Sequence, residues 1–390
     1  MRVSVGERRA LLAQRHRLAP AALADSPPEV AQSLVALHGT DPASVHLSIA
    51  ARLKQPTVDA IERALYDERS LVRMLGMRRT VFVVPTELAP VVQAACTNAI
   101  AVKQRQLYTE MFSRAGFTDD TARWLSDVEE STLRALKRRG EATAIELSQD
   151  EPRLKQQILL AEGKPYEALQ SASTRVLFLL AAEGRIVRGR PKGSWISGQF
   201  RWSPVEHWLA SGLPSLGVDH AQRELVHCWL RAFGPGIVAD LRWWTGLTAG
   251  EINRALKHLD TVDVDLDGVP GVLLSEDLEP PKAPPSWVAL LPALDPTPMG
   301  WNARAWFLGE YAPILFDRSG NVGPTVWCDG RIAGGWAQRK SGEIVYRLLE
   351  DVGREVKTHI DAAADALSRW IGPVRVTPRF RTPLERELSA

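Results

Sequence analysis

Leu136-Lys137-Arg138-Arg139-Gly140, followed by Ala144-Ile145-Glu146-Leu147, has a counterpart in Leu230-Arg231-Ala232-Phe233-Gly234 and Val238-Ala239-Asp240-Leu241. In both stretches a helical run ends at glycine, and an acid and a leucine come six and seven residues later. Glycine ends helices because it takes the left-handed conformation without a Cβ clash. The pattern reads as helix, short extended piece, second helix, which is how a winged-helix module begins before its recognition helix and β-hairpin. The first copy continues through Val176-Leu177-Phe178-Leu179-Leu180 into the segment Arg185 to Gly193. The second continues through Ile252-Asn253-Arg254-Ala255-Leu256 into the segment Val262 to Gly268.

Toward the N-terminus, Val30, Leu34, Val35 and Leu37 recur at helical spacing. Pro27-Pro28 can start that helix, Gly39 can end it, and Asp41-Pro42 can start the next. Leu71-Val72-Arg73 and Arg79 to Val84 read as strands, the latter β-branched and stopped by Pro85. Helices bounded by one strand pair make a further winged-helix unit. Toward the C-terminus, Pro280-Pro281 and Pro284-Pro285 form a stiff linker. After it come β-type runs at Trp287–Leu291, Pro324–Cys328, Arg331–Ala333 and Ile344–Tyr346, a helix from Val352 to Trp370, and a last strand near Val374–Val376. Asp329-Gly330 is a two-residue hairpin signal. The expected fold is α+β: tandem winged-helix (helix-turn-helix) domains over 1–125, 126–205 and 206–280, then a C-terminal β-barrel-like domain over 281–390.

The chain has 390 residues, 45% hydrophobic and 24% charged, the composition of a globular protein of a few small units. It has no apolar run near the roughly 20 residues of a membrane span and no apolar signal core after Met1, so a cytoplasmic location is expected. Cys96, Cys228 and Cys328 lie far apart, without C-x-x-C spacing, which argues against zinc or a disulfide scaffold. Phosphate-loop, H-E-x-x-H, G-x-S-x-G and G-x-G-x-x-G signatures are missing, so no metal or cofactor is expected. Net charge is only +2, but the basic residues cluster. Arg69, Arg73, Arg78 and Arg79 form one acid-free run; Arg185, Arg188, Arg190, Lys192 and Arg201 form another. The later hairpin instead carries Asp260, Asp263, Asp265 and Asp267. Only the basic hairpin gains by displacing counterions from phosphates; the acidic one should face solvent or another domain.

Leu37-His38-Gly39-Thr40-Asp41-Pro42 gathers an imidazole, a hydroxyl and a carboxylate at a break between helices. Such a cluster can orient a water and stabilise a developing cation. The same residues also read as a helix junction. His38-Gly39 suits a helix C-terminus, and Asp41-Pro42 an N-cap with proline in the first turn. His46 reads as an ordinary helix residue, and Trp243-Trp244 as core rather than a stacking platform.

The layout resembles the AlkZ/YcaQ-like DNA glycosylases of the winged helix DNA-binding domain family (HTH_42). The matching segments are Leu37–Pro42, Leu71-Val72-Arg73 with Met77–Thr80, Leu230–Trp244, Leu290–Asp295 followed by Gly300, and Gly323–Val326 with Asp329–Arg331 and Gly335-Trp336. Active members carry Gln-x-Gln or Gln-x-Asp, which falls on His38 and Thr40, with Asp41 directly after; this chain departs at both positions. The resemblance implies a monofunctional glycosylase, a nucleoid-associated monomer, that hydrolyses the N-glycosidic bond of alkylated or bulky purine adducts, including crosslinks, in damaged duplex DNA, without metal or cofactor. Asp41 would then activate the water, Thr40 hold it, and His38 orient it or, when protonated, contact a phosphate. Arg73, Arg78 and Arg79 would touch phosphates beside the site. Arg188, Arg190 and Lys192 would form a DNA-tracking wing, and Asn321 would lie on a hairpin brought to DNA. The rival readings are a non-catalytic DNA-binding or regulatory protein with the same fold, motivated by the changed motif, and an interaction scaffold, motivated by the acidic hairpin.

Overall fold

The computed structural model describes all residues except 161, 162, 164–166 and 280, so Pro280 of the expected linker lies outside the described residues. Three successive segments repeat one order of elements. The first holds helices α1 (Val5–Arg15), α2 (Pro27–Ser33), α3 (Pro42–Ala50) and α4 (Val58–Glu62) and strands β1 (Leu37–His38), β2 (Leu71–Leu75) and β3 (Val81–Pro85). Helices α5 (Ala89–Val92) and α6 (Asn98–Arg114) lead to the second. It comprises α7 (Thr121–Arg139), α8 (Ala144–Asp150), β4 (Gln157–Leu160), β5 (Ala168–Ser171), α9 (Ser173–Ala182), β6 (Ile186–Pro191) and β7 (Phe200–Pro204). The third comprises α10 (Val218–Phe233), α11 (Val238–Thr245), α12 (Ala249–Leu256), β8 (Thr261–Leu266) and β9 (Val269–Leu274).

In each segment the short extended piece after a helix pairs with the second strand of the closing hairpin. Leu37 and His38 face Val83 and Phe82 on β3. Ala142 exchanges backbone hydrogen bonds with Trp202 on β7, and Gly236 with Val272 on β9. The pairing satisfies main-chain groups that burial would otherwise orphan. The two acids of the repeat do different work. Glu146 closes a capping box with Thr143 at the start of α8. Asp240 instead accepts the N–H groups of Asn302 and Ala303 at 2.9 and 2.8 Å, tying α11 to the C-terminal segment. Thr143→Ala should therefore cost about 1 kcal/mol; an unchanged urea midpoint would contradict that role.

Three features differ from expectation. The hairpin β4–β5 stands between α8 and α9. The C-terminal segment is also not barrel-like: β10 (Val288–Leu291), β11 (Thr325–Cys328), β12 (Arg331–Gln338) and β13 (Ile344–Leu348) form an open antiparallel sheet in that order. Four strands are too few to close around a filled interior. The short helices α13 (Ala305–Leu308) and α14 (Ala312–Leu315) precede β11. Helix α15 (Arg354–Ile371) packs on β10, and α16 (Pro383–Leu388) on β12. Residues 374–376 form no ladder; the Val376 N–H bonds the Gln338 side chain instead. The Asp329-Gly330 turn is as expected, with φ of 47° and 82° joining β11 to β12.

The largest apolar cluster joins Leu12 of α1, Phe82 of β3, Trp229, Trp244, Trp301 and Trp327. It thus runs through the first, third and C-terminal segments. The second segment has its own cluster, which takes in Tyr108 and Phe112 of α6. The acidic hairpin is covered by the N-terminus: Val3 donates to the Asp265 carbonyl at 2.9 Å, and Arg2 pairs with Asp267 at 3.1 Å.

Candidate active site and nucleic-acid interface

The polar cluster lies where β1 turns into α3. Gly39 does not end α2, which stops at Ser33 before Val35 at φ 63°. Gly39 instead permits a close approach: a Cβ there would meet Arg73 Nη1 at 3.0 Å and the backbone of Val81 and Phe82 at 3.2 Å. Its N–H donates to the Val81 carbonyl at 2.8 Å. Asp41 caps α3, its Oδ1 accepting the Ala43 N–H at 3.1 Å and its Oδ2 the Arg379 N–H at 3.0 Å. It is 6% exposed, so the carboxylate is turned onto main chain rather than open to a groove. A carboxylate offers about four acceptor positions, so two amides leave capacity for a further donor. Asp41 also lines a void of about 10 Å³ beside Ser44 and Gln338, roughly the space of one water. Thr40 beside it is half-buried.

His38 is buried against Phe82, with ring centroids 5.3 Å apart, and its Nδ1 has no hydrogen-bond partner among the described residues. Burial and the nearby Arg78 push it down to about 4. The ring is neutral near pH 7, which removes the expected contact between a protonated His38 and a phosphate. His46 is fully enclosed against Trp195 and bonds the Pro42 carbonyl through Nδ1.

The arginines are placed differently from the expected row of phosphate contacts. Arg73 is buried; its Nη1 donates to the Gly39 carbonyl and its guanidinium lies 4.6 Å from the Phe200 ring. Arg78 and Arg79 both hold positive φ, 52° and 59°, in the turn between β2 and β3. Each non-glycine residue there costs ~1–2 kcal/mol, a concentration of strain typical of functional turns. Arg78 stacks 4.1 Å over Trp243, and Arg79 lies 5.4 Å over Phe178. Trp244 is core, whereas Trp243 is half-buried beneath Arg78 and Arg304. Arg304 has no sequence signal; burial and Arg78 push it down to about 10.

The basic wing is largely neutralised within the protein. Arg190 pairs with Glu62 and Asp67, both at 2.8 Å, and Lys192 lies 4.0 Å from Glu146. Arg185 and Arg201 pair with Glu130 and Glu141. Arg188 sits between Phe200 and Trp202, pushed down to about 10 by burial and by Arg73. Asn321 closes its own turn, its Nδ2 donating to Asp317 at 2.8 Å. The structure therefore gathers His38, Gly39, Thr40, Asp41 and Arg73 at one point, with Arg78 acting on His38, while Arg190, Lys192 and Asn321 are engaged with acids of their own. Among the described residues, no cluster of His, Cys, Asp and Glu has the makings of a metal site, and no helix is long and apolar enough to cross a membrane.

A family model described as DNA glycosylase AlkZ-like matches residues 31–370. No curated protein matches the chain. Among solved structures, the DNA glycosylase AlkZ of Streptomyces sahachiroi aligns with a TM-score of 0.73 at 20% identity, covering 97% of this chain and 100% of that one. At that identity the likeness speaks for the fold.

Proposed function

This chain belongs to the AlkZ-like DNA glycosylase family, and we propose that it hydrolyses the N-glycosidic bond of alkylated or otherwise bulky purine adducts, crosslinks included, in duplex DNA. We read its three repeated segments as winged-helix units around that chemistry, on the strength of their shared order of helix, short strand, helices and hairpin.

A purine alkylated at N7 or N3 is already cationic, so it departs with little acid assistance. The sugar it leaves has oxocarbenium character. The site then has to hold a water on the opposite face and place negative charge near the sugar. Asp41 serves the second task through space: its carboxylate is enclosed and held by two main-chain amides, so it acts as a fixed negative charge behind Thr40 and not as a group that touches the water or the sugar. Thr40 can hold the water by its hydroxyl, and the neutral His38 ring can orient it without competing as a cation. Arg73 behind Gly39 keeps the segment in place. The observation that carries this reading is the rigid setting of the His38–Asp41 segment, bound to β3 on one side and to the Arg379 amide on the other.

The test is release of free base from duplexes carrying N7-methylguanine, N3-methyladenine or a bulky N7 adduct. Release of at least one, unchanged by a chelator, is expected. Release from none of them would overturn the substrate assignment.

A further inference from the structure

A cavity of about 320 Å³ opens between the first and second segments. Arg73, Arg79 and Arg188 line it together with the rings of Phe178 and Trp202, and among the described residues no acid lines it. Its size is at the lower end of small-ligand pockets, roughly 300–1,000 Å³. Arg73 is wholly enclosed, and its Nε and Nη2 form no hydrogen bond among the described residues. A buried guanidinium with open donors is costly unless something compensates it. Tyr66 and Asp41 offset part of the burial of Arg73, whereas Arg188 adds positive charge.

We infer that this cavity takes one nucleotide unit, its phosphate on Arg73 and Arg188 and its base in the apolar part against Phe178 and Trp202. A phosphate matches the fork of donors that a guanidinium presents. Aromatic and aliphatic walls match the face of a base, a pairing that tolerates any sequence. The three cations also reject a purine made cationic by alkylation, so the occupant is an unmodified nucleotide rather than the lesion. It arrives either as a residue extruded from a strand or as a free mononucleotide. The inference deepens the DNA-handling role proposed above, but its test reads binding and not base release, so the two fail separately.

The full-length protein is titrated into a duplex with 2-aminopurine opposite an abasic site, and separately into the 5′-monophosphate of 2-aminopurine deoxyriboside. Duplex binding is followed in parallel by anisotropy of an end label. Thr174→Trp fills the cavity mouth from an exposed position of α9, and Arg188→Gln removes one cation. With wild type, 2-aminopurine emission should change on binding. Each variant should need about tenfold more protein for that change, and the Thr174→Trp protein should do so while anisotropy shifts less than about twofold. A response from the duplex alone identifies an extruded nucleotide, and one from the monophosphate alone identifies a free one; both uphold the inference. Silence of both probes, or a Thr174→Trp protein indistinguishable from wild type, overturns it.

Discussion

Asp295→Ala is expected to destabilise the protein by about 3–5 kcal/mol. Arg52 and Asp295 are both fully buried and joined by two hydrogen bonds, Nη1 to Oδ2 at 2.8 Å and Nη2 to Oδ1 at 2.7 Å. The guanidinium also donates to the carbonyls of His16 and Ser48 and to the Thr297 hydroxyl. His16 bonds the same hydroxyl at 2.8 Å. This network fastens the end of α3 to the C-terminal segment, and the alanine variant leaves a buried cation without its counter-charge. Removing both charges with Arg52→Met and Asp295→Leu should cost less than Asp295→Ala alone, because an unpaired charge costs more than an absent pair. Urea denaturation decides: an Asp295→Ala protein within about 0.5 kcal/mol of wild type would place the pair outside the structural core.

Acid should weaken the fold well before general acid denaturation. Burial pushes His16, His38 and His46 down to about 3, 4 and 3. Unfolded histidines take up protons near 6.5, and these three do not do so until far lower pH. Between those limits the unfolded chain holds more protons, so stability is full above pH 6.5 and falls as pH drops. Glu129, pushed up to about 7 by burial beside Arg105, has the opposite sign and offsets one imidazole. With each pKa unit worth ~1.4 kcal/mol, the net loss from pH 6.5 to 5 is on the order of 3–4 kcal/mol. Denaturant titrations at pH 7, 6 and 5 measure it directly. A flat profile would mean that these rings become protonated in the folded protein.

The sequence reveals local conformation more readily than long-range partnership. The Asp41-Pro42 cap and the Asp329-Gly330 turn are legible because each depends on residue types that set neighbouring dihedrals. The shared order of the second and third segments is legible from the helix-ending repeat, even though Glu146 and Asp240 serve different ends. The charge of the basic wing is not. Arg190 follows no acid in sequence, yet the fold brings Glu62 and Asp67 to it from the first segment. The burial of His38 is hidden for a similar reason: β1 has two residues, too short to show an alternating pattern. The second amide on Asp41 comes from Arg379, and Arg304 reaches Trp243 from beyond the third segment. The open sheet replaces the expected barrel because closure depends on whether the edge strands β10 and β13 meet, which strand-like composition does not encode.

We propose that the Asp41 carboxylate, as a fixed negative charge, assists departure of the base. Asparagine caps helices about as well as aspartate, but only one of its two terminal atoms accepts, so Asp41→Asn removes the charge and the bond from the Arg379 amide while keeping the cap on the Ala43 amide. The decisive measurement is single-turnover release of N7-methylguanine from duplex DNA by wild-type and Asp41→Asn proteins at matched folded fraction and saturating protein. A rate lowered by about 10²–10³-fold, with duplex affinity little changed, is predicted. An unaltered rate would show that Asp41 only caps α3 and that the chemistry resides elsewhere.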